Sequence, residues 1–217
     1  MCSSDLASSL LAGMPDQVPK DIVSSLREKS TVLPVALPPL KAPVNVERDR
    51  PRIVWNHRWE HDKGPELLQQ IVVRLLEQNR EFSMSLLGQR FARVPAAMQE
   101  VKKLLIDAGR LDLGDYMEDR AAYLGALGRH NLVLSTAGQE FQGLAVQEAM
   151  LRGCTPVVPD ALSYPEYVPA QLRYTDAAHA VELLMSAPVA TIDLERYSWQ
   201  TIGPEWLATV NELVRLR

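Results

Sequence analysis

The chain has 217 residues and a mass of 24.2 kDa, enough for one to two domains with a full hydrophobic core. Apolar residues make up 47% and charged residues 23% of it, which excludes a disordered, collagen-like or disulfide-stapled protein. A total of 23 Lys and Arg against 27 Asp and Glu gives a formal net charge of −4, which argues against a general nucleic-acid-binding surface.

The sequence also indicates in which cellular compartment the protein is found. Its apolar runs are far shorter than the roughly 20 residues of a membrane span, and the N-terminus lacks a basic segment followed by an apolar one. The two cysteines, Cys2 and Cys154, have neither metal nor redox spacing, as in a reduced intracellular protein. We therefore expect a cytoplasmic protein with no membrane partner.

The first fifty residues are predicted to be a tail and a linker. Residues 1–14 mix apolar and polar side chains, residues 31–35 have the pattern of a short strand, and four prolines then interrupt regular structure over 34–43. Such proline density makes a segment extended and semi-rigid, as in a hinge between domains.

From residue 52 onward, short apolar runs alternate with amphipathic stretches. Strands are predicted over 52–55, 82–87, 111–116, 131–135, 155–158 and 172–174. Helices are predicted around 67–76 and 101–105, over 177–185 with Thr175 as its cap, and over 204–216. This alternation predicts an α/β fold, a Rossmann-like doubly wound parallel sheet whose ligands bind beyond the C-terminal ends of the strands.

The loop after the first predicted strand carries two cations. Arg58 and Lys63 lie five residues apart, before Gly64 and Pro65 open a helix. Such a pair is able to hold a diphosphate, with the guanidinium forking onto two oxygens and the ammonium acting as a point charge. The alternative is an ordinary solvated charged loop.

The same loop contains the string H-x-x-E-H over 57–61, which in one class of metalloprotease places two histidines on zinc. Here it directly follows a strand and is stopped by Gly64 and Pro65, so at most one helical turn is available. We therefore expect Trp59 to pack, the histidines to hydrogen-bond nearby, and no metal site to form.

Two glutamates follow the fourth predicted strand. Glu140 lies in the strand-to-helix turn, and Glu148 lies eight residues on, up to ~12 Å away if the intervening chain is helical. They are too far apart to share a proton but are spaced to hold two ends of an elongated ligand, with backbone amides after Gly143 facing an anion. Alternatively, Glu140 merely favours the helix N-terminus and Glu148 is a surface residue.

Several reaction classes lose support from the sequence. It contains no G-x-S-x-G elbow, no G-x-x-x-x-G-K-[ST] loop and no G-x-G-x-x-G fingerprint. Serine hydrolases, P-loop nucleoside triphosphatases and simple nicotinamide dehydrogenases are therefore disfavoured.

The pattern of cations and glutamates resembles the C-terminal donor-binding half of the retaining GT-B glycosyltransferases of family 4. The longer strings WNHRWEHDKGPE at 55–66, EFQGLAVQEA at 140–149 and YPE at 164–166 resemble the tRNA-queuosine α-mannosyltransferase family. The likeness runs from about Met14 to Trp199. Gln139 and Gln142 depart from residues common in family 4.

This resemblance implies a donor site for GDP-mannose. Arg58 and Lys63 would bind the diphosphate and stabilise the departing GDP, and Glu140 would contact the hexose. Glu148 would hold the ribose, while the backbone amides of Gly143, Leu144 and Ala145 would add to phosphate binding. Transfer with retention to the cyclopentenediol of a modified guanine in a tRNA anticodon would need no cofactor and no metal.

The resemblance also implies that a second domain is missing. Residues 1–50 would be the remnant of the N-terminal acceptor domain plus its linker, 51–190 the nucleotide-sugar-binding domain, and 191–217 a C-terminal helical segment. We expect such a fragment to bind nucleotide and to transfer little sugar. The alternatives are another family-4 transferase with a different donor or acceptor, a non-catalytic nucleotide-binding module, a GT-B-like epimerase and, remotely, a zinc hydrolase.

Overall fold

A computed structural model describes residues 22–39, 48–186 and 188–215. The predicted tail over 1–14 and most of the proline linker lie outside these residues. The chain divides into two compact units: one comprises Met1–Pro38 together with Glu195–Arg217, and the other comprises Pro39–Leu194.

The larger unit is built on a five-stranded parallel sheet. Its strands are, in chain order, β1 (Arg52–Trp55), β2 (Ser83–Leu86), β3 (Leu132–Leu134), β4 (Thr155–Pro159) and β5 (Arg173–Tyr174). Their spatial order is β2-β1-β3-β4-β5, and every pairing is parallel. The predicted doubly wound sheet is therefore confirmed.

Helices cover this sheet. They are α2 (Pro65–Glu77), α3 (Ala96–Asp107), α4 (Arg120–Leu127), α5 (Leu144–Leu151) and α6 (Ala177–Ser186), while α1 (Ile22–Glu28) and α7 (Trp199–Arg215) belong to the smaller unit. The core joins inward-facing strand residues such as Ile53 and Met84 to apolar residues of α2, α3 and α6 such as Leu68 and Leu105. Because hydrophobic residues line both sides of the strands, the sheet is buried on both faces.

Two predicted strands are wrong. Residues 31–35 form no strand. The predicted strand over 111–116 does not form either. Residues 110–113 run beside β2, where the amides of Met84 and Leu86 donate to the carbonyls of Arg110 and Leu113. Among the described residues, the only bridge made by this segment is at Leu111. The chain then turns away at Gly114, whose carbonyl accepts hydrogen bonds from Lys102 and Arg90.

Helix ends also differ from the prediction. The cap of α6 is Asp176 rather than Thr175, because the Asp176 carboxylate accepts a hydrogen bond from the His179 amide at 2.9 Å. Helix α7 begins at Trp199, five residues before the predicted start at Pro204. Helix α4 was not predicted, although Asp119 is a regular N-cap whose carboxylate accepts from the Ala122 amide at 2.8 Å.

The smaller unit is held by contacts between its two chain segments. Leu37 forms a parallel bridge with Ser198, and the Trp206 indole donates to the Pro34 carbonyl at 2.8 Å. Within the described residues, no helix is long and apolar enough to cross a membrane.

Gly64 joins two loops of the larger unit. It has φ of 62°, and a Cβ placed on it would lie 2.0 Å from the Thr136 carbonyl oxygen. Both the left-handed backbone and the close approach therefore require glycine.

We expect Gly64→Ala to lower the free energy of unfolding by about 3 kcal/mol, because backbone strain and overpacking both contribute. Gly109→Ala is the matched control, since Gly109 has φ of 64° and a Cβ added to it would meet no atom within 4 Å, and it should cost only ~1 kcal/mol. Urea denaturation of the three proteins measures the difference. Equal losses for the two variants would contradict the proposed close approach.

Candidate functional site

The candidate site lies where the strand order of the sheet reverses. Strand β1 connects to β2 on one side, whereas β3 and the later strands lie on its other side. In open parallel sheets, ligands bind beside such a point, outside the C-terminal ends of the strands. The loops after β1 and β3, which carry the predicted site residues, meet there.

Lys63 joins these two loops. Its side chain is 10% exposed, and its ammonium donates to the Gln139 carbonyl at 2.8 Å. The same ammonium lies 3.3 Å from a Glu140 carboxylate oxygen and 3.2 Å from Asp62. An ammonium this buried is costly unless it is paired and hydrogen-bonded, so its partners fix Glu140 beside it.

Backbone contacts tighten the same junction. The amides of Gly138 and Gln139 both donate to the Asp62 carbonyl, at 2.9 and 3.2 Å. The Thr136 hydroxyl donates to the Lys63 carbonyl at 2.7 Å and accepts from the Trp55 indole at 3.0 Å. The two loops therefore form one rigid platform.

Arg58 stands at the exposed edge of this platform. Its guanidinium pairs with Glu60 and lies 3.5 Å from Asp62, and its side chain is 51% exposed. Neither of these carboxylates was predicted as a site residue. Together with Glu140 they outnumber the cations. Arg58 and Lys63 face three carboxylates, so these five groups carry a net charge of 2 − 3 = −1.

Gly143 is the N-cap of helix α5. It has φ of 80°, and a Cβ there would lie 2.4 Å from the Tyr167 hydroxyl. Leu144 and Ala145 form the first turn of the helix, where backbone N–H groups lack acceptors within the helix. The predicted donor-binding positions 143–145 are thus a helix N-terminus in which only glycine fits the first position.

Asn56 ties β1 to this turn. Its amide nitrogen donates to the Ala145 carbonyl at 2.7 Å and to the Tyr123 hydroxyl at 3.0 Å. Both Asn56 and Tyr123 were missed as site residues. A polar side chain directly after a buried strand was the available signal for Asn56, whereas Tyr123 needed helix α4 to be known.

Glu148 is held by α4. Its oxygens pair with both terminal nitrogens of Arg120, one of them at 3.1 Å, and the Tyr123 hydroxyl lies 3.4 Å from the same carboxylate. The Glu148 side chain is 18% exposed. The structure therefore places Glu148 against α4, and the network of Tyr123, Asn56 and Ala145 connects it to the start of α5.

A cleft of about 260 Å³ opens beside this network. Its lining includes Asn56, Arg58, Tyr123 and Arg120 together with residues 87–89 and 116–118. It combines aromatic and charged side chains in a volume somewhat below the roughly 300–1,000 Å³ of typical small-molecule sites.

The histidines of the loop do not support a zinc site. His57 is buried, and its Nε2 has no hydrogen-bond partner among the described residues, whereas His61 is exposed and lies 3.7 Å from Glu66. Glu60 has extended backbone, so no helix presents the two histidines together. No cluster of three or more His, Cys, Asp or Glu able to hold a metal occurs in the described parts of the chain. Trp59 packs as predicted, whereas the hydrogen bond expected of His57 is not made by its Nε2.

Comparisons with known proteins support the resemblance. Over 126 residues, 56% of this chain, the sequence is 34% identical to a Drosophila melanogaster protein named tRNA-queuosine alpha-mannosyltransferase. The matched segment spans 32% of that protein, so the chain covers about a third of its relative. No protein-family model matches the chain.

Solved structures show the same fold. The C-terminal domain of a group 1 glycosyltransferase from Francisella tularensis superposes with a TM-score of 0.54 at 18% identity, covering 78% of this chain and 94% of that domain. S. aureus TarM, solved in a complex that includes UDP, gives 0.59 at 17% identity over 80% of this chain and 38% of its own. The expected fold of a GT-B C-terminal domain is thereby confirmed.

The pH dependence of stability provides a test of the buried His57. Burial, with a smaller contribution from the charge of Lys63, lowers the pKa of His57 from 6.5 to about 3. Between these values the unfolded chain binds a proton that the folded chain does not, so the free energy of unfolding falls as the pH is lowered.

From pH 7 to pH 5, we expect the wild type to lose about 2 kcal/mol more stability than His57→Gln, as one pKa unit corresponds to roughly 1.4 kcal/mol. Urea unfolding at both pH values measures this loss. Between pH 7.5 and 9 the two proteins should change alike. Parallel losses below pH 7 would show that His57 is not buried in its neutral form.

Proposed function

On the premise that the chain has the fold of a GT-B glycosyltransferase C-terminal domain, we propose that it binds the nucleotide-sugar donor of a retaining glycosyltransferase. The observation that carries this proposal is the junction of the β1 and β3 loops. There Lys63 contacts Glu140 and shares Asp62 with Arg58, at the edge of the sheet where such folds bind ligands.

The diphosphate of the donor would bind between Arg58 and Lys63. A diphosphate is a stronger acceptor for these cations than the exposed Glu60, so Arg58 would exchange its carboxylate partner for phosphate oxygens. The first amides of α5 would add to phosphate binding, because a helix N-terminus favours negative charge. As the bond from sugar to diphosphate breaks, these groups stabilise the charge that develops on the leaving phosphate.

The two glutamates would bind the sugars at the ends of the diphosphate. Glu140, which is held by Lys63, would accept hydrogen bonds from hexose hydroxyls. Glu148, which is held by the cleft residues Arg120 and Tyr123, would accept them from the ribose. The cations and the helix N-terminus would supply the positive charge that a metal ion supplies in other transferases, so the proposal includes no metal and no cofactor.

For the donor and acceptor we propose GDP-mannose and queuosine in a tRNA anticodon. The support is the 34% identity to a protein named for that reaction. This identity extends over only 32% of that protein. The complete reaction would require an acceptor-binding domain in addition to the described units. We therefore expect this chain to bind nucleotide and to transfer little mannose unaided.

The diphosphate assignment of Arg58 is tested by substitution. Arg58→Ala should weaken GDP binding about tenfold or more, because a charge-assisted contact is lost, and should reduce the salt dependence of the affinity. Guanosine, which lacks phosphate, should bind both proteins equally. Arg80→Ala is the matched control, as Arg80 is exposed and precedes β2, at the opposite end of the strands. An unchanged GDP affinity of Arg58→Ala would contradict the assignment.

Calorimetric titration tests the donor itself. We expect the purified chain to bind GDP and GDP-mannose, to bind UDP at least tenfold more weakly, and to show the same affinities in metal-free buffer. Glu148→Ala should weaken GDP binding because the ribose contact is lost. Absence of binding to a folded chain would contradict the proposed function, whereas equal binding of GDP and UDP would contradict only the choice of base.

A further inference from the structure

The first turn of α4 presents two side chains to Glu148. Arg120 and Tyr123 are three residues apart and so lie on one face of the helix. The guanidinium of Arg120 lies 5.3 Å from the centre of the Tyr123 ring, and both side chains line the cleft. A cation stacked on an aromatic face has fewer accessible orientations than a free arginine.

The hydrogen bonds leave one definite position open on the carboxylate. Glu148 Oε2 accepts from Arg120 Nη1 at 3.1 Å and lies 3.4 Å from the Tyr123 hydroxyl, while Oε1 accepts from Arg120 Nη2. An ionised carboxylate has about four acceptor positions. Three donors therefore leave one position, on Oε1, for a ligand hydroxyl.

The pair is more than a contact between two surface charges. Exposed ion pairs contribute little, because two flexible side chains are ordered in water. Here Glu148 is mostly buried, and although the Arg120 side chain is 53% exposed, it both forks onto Glu148 and lies against the Tyr123 ring. Burial together with the Glu148 charge raises the pKa of Tyr123, so its hydroxyl keeps its proton and remains a donor.

We propose that Arg120 is a positioning residue: it holds the Glu148 carboxylate so that Oε1 accepts a hydrogen bond from a ribose hydroxyl of the bound nucleotide. The inference rests on the proposed function, since it assumes that the cleft takes a nucleoside diphosphate. It adds that recognition of a ribonucleotide over a deoxyribonucleotide depends on α4, an element that contributes none of the predicted site residues.

The test is the discrimination between GDP and its deoxy analogues, measured by calorimetry. The wild type should bind GDP about tenfold more tightly than 2′-deoxy-GDP or 3′-deoxy-GDP, whichever lacks the hydroxyl that Glu148 binds. Arg120→Met, which keeps the length but not the fork, should bind GDP about tenfold more weakly and discriminate by less than about twofold. Affinity for the less tightly bound analogue should stay unchanged.

Two further variants distinguish the loss of Glu148 positioning from a non-specific loss of nucleotide binding. Glu148→Gln should lose the same discrimination, and adding Arg120→Met to it should have no further effect, since the two residues act through one contact. Arg120→Lys, which keeps the charge without the fork, should fall between the wild type and Arg120→Met. Arg80→Met serves as the control and should match the wild type.

Each result supports or overturns the inference. If Arg120→Met discriminates as the wild type does, or binds GDP more tightly, Arg120 does not position Glu148 and the inference fails while the proposed function stands. If the wild type binds no nucleotide, both fail. Should Arg120→Met not fold, Arg120→Lys decides, because it keeps the charge and removes the fork: it should reduce discrimination about threefold, and an unchanged value overturns the inference.

Discussion

A buried ammonium group organises the site of this chain. Lys63 has little contact with water, and its charge is compensated by Glu140, Asp62 and the Gln139 carbonyl. Since these partners come from the loops after β1 and β3, the cation fixes the two loops to each other. Removing one member of such a buried pair is far more costly than the pair is stabilising, so the loops and the site geometry depend on all of them together.

Before any ligand binds, both cations of the site are already paired with carboxylates, which outnumber them by one. The two cations differ in their surroundings. Lys63 is buried and its three acceptors match its three N–H donors, so phosphate would have to replace one of them, whereas Arg58 is half exposed. The carboxylates of Glu60 and Asp62 hold Arg58 in place, so in the proposed complex a diphosphate would meet a cation that is already oriented. Such preorganisation reduces the cost of ordering side chains on binding.

Much of the fold follows from local sequence patterns. Strand β1 was predicted to the residue, and each end of β2 to β5 within one residue, because buried parallel strands are short apolar runs between turn residues. The run at 111–116 has the same pattern but turns away after a single bridge at Leu111, where Lys102 and Arg90 hold the Gly114 carbonyl. Whether this run forms a strand depends on tertiary contacts, which the hydrophobic periodicity of the sequence does not show.

The site was partly predictable for the same reason. Strand prediction placed the site at one edge of the sheet, because its residues lie in the loops that follow β1 and β3; these residues are Arg58, Lys63, Glu140 and the start of α5. The roles of Arg120 and Tyr123 were not predictable, because they depend on how a missed helix packs against α5. Similarity to known proteins fixes the fold, while the choice of base, sugar and acceptor depends on individual side chains.

The most direct test of the account is a crystal structure of this chain with GDP bound. The account predicts diphosphate oxygens within about 3.2 Å of both Arg58 and Lys63, with Arg58 released from Glu60, and a ribose hydroxyl hydrogen-bonded to Glu148. A nucleotide bound elsewhere, or a diphosphate in the cleft with Arg58 still paired to Glu60 and Asp62, would contradict it.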